Sequence, residues 1–381
     1  MADFFRFDEL TWPEVAALPR DVPLILPLGT DFPEAVVAKS LSNPTRIGML
    51  PAFPFGWRGS GLEVPEPTLA AYIKNLLNSL RDDGFTHVYA LTPQGVDLGL
   101  GSEQIRIKRQ LPDTQSKTNI PPASEKEKVI LIPIGHTEQH AYHLPLSVDT
   151  IIIEAIANGT VHANQDIGYT LPAMPYGVST HREAFAGTMN AGGRAFEDFW
   201  LAVVDALVAR GFDRFYLMSG HGGNSSFLVN VVKYAGDRHK RIFCATAWLH
   251  TSGPGGVAAL EKYRESKIGG MGHACELETS MMLALRPDLV HMDRVRDDTD
   301  FVTTPNYYMD WVEGGALVAN PPWDDDSVYG AYGAGSLGTQ EKGRVWLEAA
   351  IAEKLEHVHE IHEQQRRREE RRKAGFGAWG K

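Results

Sequence analysis

Continuous apolar runs that close on a Pro-x-Gly step recur along the chain. Leu24-Ile-Leu-Pro-Leu-Gly29 and Ile130-Leu-Ile-Pro-Ile-Gly135 contain no alternating polar positions. This is the pattern of parallel strands buried on both faces and running into a loop. Between Phe196 and Arg210 the spacing changes. Phe196, Trp200, Val203, Val204, Leu207 and Val208 recur at helical intervals, and the run stops at Gly211, a residue at which helices end. Phe215-Tyr-Leu-Met218 reads as another buried strand. Strand, helix and strand in alternation predict an α/β fold, an αβα sandwich whose largely parallel sheet carries helices on both faces.

The apolar blocks also repeat in order. Leu50-Pro-Ala-Phe-Pro-Phe-Gly56 matches Leu171-Pro-Ala-Met-Pro-Tyr-Gly177, and Leu80-Arg-Asp-Asp-Gly-Phe85 with Tyr89 matches Leu207-Val-Ala-Arg-Gly-Phe212 with Tyr216. Three blocks in register argue that one fold is encoded twice. The expected organisation is a first copy over residues 1–110, a Pro- and Ser-containing charged linker over 111–128, a second copy over 129–338, and a charged helix and tail over 339–381. The Arg366–Lys373 run reads as a solvated helix end. His357, His359 and His362 lie on the same predicted helix, where positions two apart do not share a face, so joint coordination is not expected.

Composition narrows the class. Lys+Arg 37 against Asp+Glu 48 gives a net charge of −11, which argues against a nucleic-acid binder. Two cysteines, Cys244 and Cys275, provide no disulfide framework, a usage that suits a reducing compartment. No apolar run approaches a membrane span, and Met1-Ala-Asp-Phe-Phe-Arg has no secretory leader pattern. The expectation is a cytoplasmic protein with no membrane partner.

The chemistry is concentrated in three segments. Gly135-His-Thr-Glu138-Gln-His140-Ala-Tyr142-His143-Leu-Pro-Leu-Ser-Val-Asp149 follows a predicted strand, and strand C-terminal ends are where open α/β sheets place their sites. Glu138, His140 and Asp149 offer an imidazole and two carboxylates, a set suited to Zn²⁺ or Mn²⁺, and a carboxylate between two such ions can bridge them. Ser219-Gly-His221-Gly-Gly-Asn224 also follows a strand; His221 reads as a metal ligand, and its glycines as either close ligand approach or a plain turn. In Gly272-His273-Ala-Cys-Glu276-Leu-Glu278-Thr-Ser280, Glu278 reads as a further ligand or as an acid favoured by the start of a helix. His273 reads as a proton shuttle or as a structural histidine.

Together these segments resemble the creatininase (creatinine amidohydrolase) superfamily, over about residues 125–295 and more faintly in the first copy. The resemblance implies an αβα fold, two divalent ions (Zn²⁺ or Mn²⁺) per site, a homo-oligomer, and hydrolysis of a small cyclic substrate. By the same resemblance Glu138, His140, Asp149 and His221 are metal ligands, with Asp149 the bridge. Creatininase proper has a further ligand, a Glu, where this chain has Gly223, as in the broader His-Gly-Gly-Asn branch; Glu278 is the replacement expected here. Ala141 and Tyr142 replace the usual Gly-Pro. In the first copy Phe32, Glu34 and Gln94 stand at the places of Glu138, His140 and His221, so that copy is expected to be a metal-free structural repeat.

The expected activity is attack by metal-bound hydroxide on a carbonyl carbon, with His273 or Glu276 moving the proton. Hydrolysis of a cyclic amide C–N bond leads, and C–C hydrolysis of a cyclic polyol ketone of the 3-dehydro-scyllo-inosose type is the alternative. His143, Tyr142, His181, Asn224 and Trp248 are the expected substrate-facing residues. A non-catalytic, metal-stabilised assembly protein is the competing class; the ligand asymmetry between the copies argues against it.

Overall fold

A computed structural model describes residues 2–110, 121–180, 184–312 and 314–376. The first half runs β1 (Asp3–Arg6), α1 (Trp12–Ala16), β2 (Leu24–Pro27), α2 (Glu34–Ser40), β3 (Arg46–Met49), α3 (Glu66–Asp82), β4 (Val88–Pro93) and β5 (Gln104–Ile107). Its strands form one parallel sheet in the order β1-β3-β2-β4-β5. The second half runs β6 (Val129–Ile134), α4 (Val148–Ala163), β7 (Gly168–Thr170), α5 (Gly193–Val208), β8 (Arg214–Ser219), α6 (Ser225–His239) and β9 (Phe243–Ala247). These strands form a second parallel sheet, β7-β6-β8-β9. The repeated blocks lie on matching strands, β2 with β6 and β4 with β8, and the order β3-β2-β4-β5 matches β7-β6-β8-β9. Two sheets of one topology are consistent with the duplication.

The remaining elements are α7 (Pro254–Tyr263), β10 (Met271–His273), α8 (Glu276–Leu285), β11 (Tyr332–Gly333), which pairs antiparallel with β10, and α9 (Gln340–Lys373). Among the described residues no helix is long and apolar enough to cross a membrane.

Alternation along the strands sets the layers. In β6, Ile130, Ile132 and Ile134 join a core shared with α3, α5 and the inner face of the first sheet, whereas Val129 and Leu131 face α4, α8 and α9. In β2, Leu24 and Leu26 face the shared core and Ile25 faces α2. The result is α2, sheet, α3 with α5, sheet, then α4, α8 and α9. The middle layer explains the amphipathic stripe of α5: Phe196, Phe199, Trp200, Val203, Val204 and Leu207 are all buried.

The two halves meet through the repeated blocks themselves. Phe53 stacks on Tyr176 with centroids 5.9 Å apart, the Tyr176 hydroxyl donates to Pro51 O at 2.5 Å, and the Tyr72 hydroxyl donates to Tyr176 O at 2.9 Å. The expected linker lies partly outside the described residues, at 111–120.

The C-terminal segment forms the long charged helix expected, and one face of it packs on the second half. Trp346, Ala350, Val358 and Ile361 of α9 are buried in the outer core of the second sheet, while Arg366, Arg367 and Arg368 are exposed and pair locally, Arg366 with Glu363 and Glu370. His357, His359 and His362 face three different partners, Tyr216, Asn164 and Arg214, as the helical spacing predicts.

Candidate metal centre

Loop glycines let three segments converge at the C-terminal ends of β6 and β8. A Cβ on Gly135 would stand 2.4 Å from Thr150 Cα, and one on Gly220 would stand 2.5 Å from Asp149 O. Both loops therefore lie directly on the first turn of α4, which carries Asp149. Leu146 O accepts the Glu138 N–H at 3.1 Å and closes the first loop on itself. The third segment enters from β10 and the start of α8, bringing His273 and Glu278.

The side chains that converge are three carboxylates, Glu138, Asp149 and Glu278, and four imidazoles, His136, His140, His221 and His273, all buried. His140 Nε2 lies 3.3 Å from Asp149 Oδ1 and 3.8 Å from Glu278 Oε1. His221 Nδ1 lies 3.0 Å from Glu138 Oε1 and 3.2 Å from Asp149 Oδ2. His273 Nδ1 lies 3.7 Å from Glu138 Oε1. Asp149 thus turns one oxygen to each of two histidines, the arrangement of a bridging carboxylate.

Three of these histidines are oriented by a backbone carbonyl, while His136 Nδ1 accepts the Gly177 N–H. His140 Nδ1 faces Glu138 O at 3.1 Å, His221 Nε2 faces Val178 O at 3.0 Å, and His273 Nε2 faces Gln139 O at 2.7 Å. A carbonyl only accepts, so the outer nitrogen of these three rings is the donor and the inner nitrogen is directed at the carboxylates, as in metal-binding histidines.

Burial opposes a charge on His140, but Asp149 and Glu278 outweigh it and push its pKa up to about 10. Against the same opposition, Glu138 and Asp149 push His221 up to about 9. Protons and a divalent cation compete for the same inner nitrogens. His140 Nε2 and Asp149 Oδ2 are buried without a hydrogen-bond partner. With neutral imidazoles the carboxylates would leave three buried negative charges, which need counter-charge. The donor set therefore fits divalent cations, and by distance alone three groups of these atoms could each hold one: His136, Glu138 and His221; Glu138, His140 and His273; His140, Asp149 and Glu278.

The other sequence candidates fall in different places. Glu276 points away: its carboxylate accepts from Lys342 Nζ at 2.7 Å and from the amides of Glu265 and Ser266, which corrects the expectation that it moves a proton at the site. Glu276 and Glu278 are two apart on α8, so one faces α9 and the other the cluster. Asn224 is also committed: Oδ1 accepts from Val178 N at 3.0 Å and Nδ2 donates to Gly135 O at 3.2 Å, so it pins the strand ends together rather than facing substrate. His143 binds Thr279 Oγ1 at 2.9 Å and is pushed down to about 3 by burial and neighbouring His140. Tyr142 packs against Trp12 and Tyr329. Trp248 lines the cleft and is 46% exposed at its mouth. His181 lies outside the described residues.

Met309, Asp310 and Trp311 line the cleft as well. They come from a stretch without hydrophobic period, which left no signal in the sequence. The cleft holds about 370 Å³ of space, its solvent-open mouth included. The Asp310 carboxylate is gripped by both terminal nitrogens of Arg264, at 2.7 and 2.6 Å.

Residues 113–358 match the family model described as Creatininase: Creatinine amidohydrolase. The creatinine amidohydrolase of Pseudomonas putida is 28% identical over 236 residues, 58% of this chain and 85% of that protein. The mycofactocin precursor peptide peptidase of Mycobacterium ulcerans (strain Agy99) is 32% identical over 174 residues, 44% of this chain and 62% of the peptidase. The 3-dehydro-scyllo-inosose hydrolase of Thermotoga maritima is 28% identical over 224 residues, 55% of this chain and 65% of that protein. The match thus spans less than two thirds of the latter two. Among solved structures, a creatinine amidohydrolase superposes with a TM-score of 0.53 at 24% identity, over 62% of this chain and 92% of that one. A form described as Creatininase Mn superposes at 0.52 with 23% identity, over 62% and 92%. Both likenesses concern the fold.

Proposed function

The chain belongs to the creatininase family of hydrolases, and on that premise we propose that Glu138, His140, Asp149, His221 and Glu278 hold two divalent cations and that the site hydrolyses the C–N bond of a small cyclic amide. The carrying observation is Asp149, with Oδ1 at 3.3 Å from His140 and Oδ2 at 3.2 Å from His221. Zinc or manganese held by these residues would supply a Lewis acid and make water more acidic.

The remaining work falls to side chains. His273 keeps its Nε2 proton on Gln139 O and turns Nδ1 inward. It accepts a proton there from the attacking water and returns it to the leaving nitrogen. Trp248, Met309 and Trp311 give the cleft apolar walls that suit a compact ring and exclude bulk water. The same reading carries a small-molecule substrate, a homo-oligomer and a cytoplasmic location.

A second reading is C–C hydrolysis of a cyclic polyol ketone. The similarity to the 3-dehydro-scyllo-inosose hydrolase supports it, and creatinine itself is disfavoured because the glutamate of creatininase proper has no room at Gly223, where a Cβ would stand 2.2 Å from Val178 O. The acid of the second ion site is then Glu278.

The test is metal analysis of the purified chain, followed by chelation and add-back on lactams, ureido rings, inososes and short peptides. Stoichiometric metal and turnover of a ring amide restored by add-back are expected. Restored turnover confined to inososes or to peptides would replace the substrate assignment. A chain without metal, or without restorable turnover on any arm, would remove the reading.

A further inference from the structure

We propose that Glu353, on α9 and outside the cleft, is a positioning residue that holds the 248–253 loop as one wall of the substrate site; this rests on the function proposed above. Trp248 stands at the cleft mouth and Leu249 in its lining. The buried ring of His250 stacks on Trp311, which also lines the cleft, with centroids 5.4 Å apart and planes at 17°. Leu249 has a φ of +36°, a backbone conformation that side chains rarely adopt and that persists only where surrounding contacts fix it.

Those contacts come from the residues that follow. The Ser252 N–H donates to Glu353 Oε1 and Oε2 at 2.9 and 3.1 Å, the Gly253 N–H to Oε2 at 2.9 Å, and the Ser252 hydroxyl to Oε1 at 3.3 Å. Gly253 directly precedes α7, so the carboxylate also lies at the positive end of that helix. A Cβ on Gly256 would stand 2.3 Å from Oε2, so the first turn of α7 approaches this closely only as glycine. Glu353 is 5% exposed and Lys354 1%, and Lys354 Nζ donates to Oε1 at 3.1 Å. Burial opposes the charge on Glu353, but Lys354 and the two loop amides hold its carboxyl below the usual range. A buried carboxylate met by charge-assisted hydrogen bonds is a stiff anchor. Trp346 Nε1 donates to Ala259 O at 3.0 Å, so α9 holds α7 at a second place. The metal-binding side chains come from the loops after β6 and β8 and from α8; the wall beside them is held from α9.

The test uses the full chain loaded with Zn²⁺ and three variants. Lys354→Met removes the ammonium and leaves Glu353 its loop donors. Glu353→Gln keeps one acceptor but sets an amide donor against a loop N–H. Glu353→Leu combined with Lys354→Met removes both charges and every anchor at similar volume. Ion number and affinity are read by chelator competition, hydrogen exchange over residues 248–257 by mass spectrometry, and kcat and KM on the lactam or ureido ring that the wild type hydrolyses. In the double variant, exchange of this segment should rise roughly 10-fold and KM roughly 10-fold, with ion number, ion affinity and kcat close to wild type. Glu353→Gln should fall between, and Lys354→Met should lower Tm while leaving exchange and KM unchanged. A pair with a merely structural role would give Lys354→Met and the double variant the same loss. That result overturns the proposal, as does wild-type exchange and KM in the double variant. Should the double variant fail to fold, Glu353→Gln against Lys354→Met decides. A wild type that turns over no ring overturns the proposed function instead; exchange over 248–257 then decides the positioning role alone.

Discussion

At Gly223 a Cβ would stand 2.4 Å from His221 Nε2 as well as against Val178 O, so any side chain there would enter the hydrogen bond that turns His221 inward. Gly223→Ala should therefore weaken ion binding about 10–100-fold, measured by chelator competition, although it touches no ligand atom of the cluster. Glu138→Gln and His221→Ala should each abolish metal-dependent turnover while leaving the far-ultraviolet circular dichroism unchanged; full activity in either would remove the site assignment. Chelation of the wild type should lower its Tm, because saturating a site at a thousandfold excess over Kd contributes about 4 kcal/mol. Much of this cluster was legible because Glu138, His140, Asp149 and His221 follow predicted strands in short, ligand-dense segments. Glu278 was also read as a ligand, but that Glu276 turns away from the cluster was not legible. It depends on Lys342 reaching Glu276 from α9, a contact that no local pattern encodes.

The elements around the cluster carry their own titration. Asp83, just past the end of α3, accepts the Gly187 N–H at 2.8 Å, and Thr188 Oγ1 accepts the Gln139 N–H at 3.2 Å. Burial pushes the Asp83 carboxyl up to about 7, with Asp82 adding and Gly187 and Arg20 opposing. A carboxyl raised in the fold contributes stability below its unfolded value near pH 4 and loses it as the pH climbs through 7. Asp83→Asn keeps an acceptor for Gly187 without the charge. It should be close to neutral at pH 4 and stabilising by up to about 4 kcal/mol at pH 8, read from urea midpoints at the two pH values; an equal effect at both would reject the assignment. Strands β2, β6 and β8 and helix α5 were legible from continuous apolar runs and a clean helical stripe. The β10–β11 pairing was not, since Met271–His273 and Tyr332–Gly333 are too short for periodicity, and the packing of α9 was hidden by its high charge.

For the whole molecule, the shared middle layer determines how the chain unfolds. Residues from Phe7 to Leu98 and from Ile130 to Ala235 form one buried apolar cluster, so the two sheets should melt in a single transition despite their separate hydrogen-bond ladders. Two resolved calorimetric peaks would contradict this. The first half also reaches the site: Leu10 O accepts from Leu146 N at 2.9 Å, and Leu146 in turn holds Glu138 N. Trp12 Nε1 donates to Tyr329 O at 2.9 Å, next to Gly330, whose carbonyl holds Gln139. A fragment beginning at residue 121 should therefore lose soluble expression, and any soluble remainder should bind ions more weakly than the full chain. The three aligned blocks were visible in the sequence; that they stack on one another, Phe53 against Tyr176, was beyond a comparison of spacings.

The contact of α3 with α5 pairs the helices that precede matching strands, β4 and β8, so the middle layer joins two like folds as a symmetric dimer interface would. Here the partners are covalently joined. Association within a tether proceeds at an effective concentration that dilution does not change. The halves therefore cannot part as the protein is diluted, and whatever support the first gives the cluster is present at nanomolar as at micromolar chain.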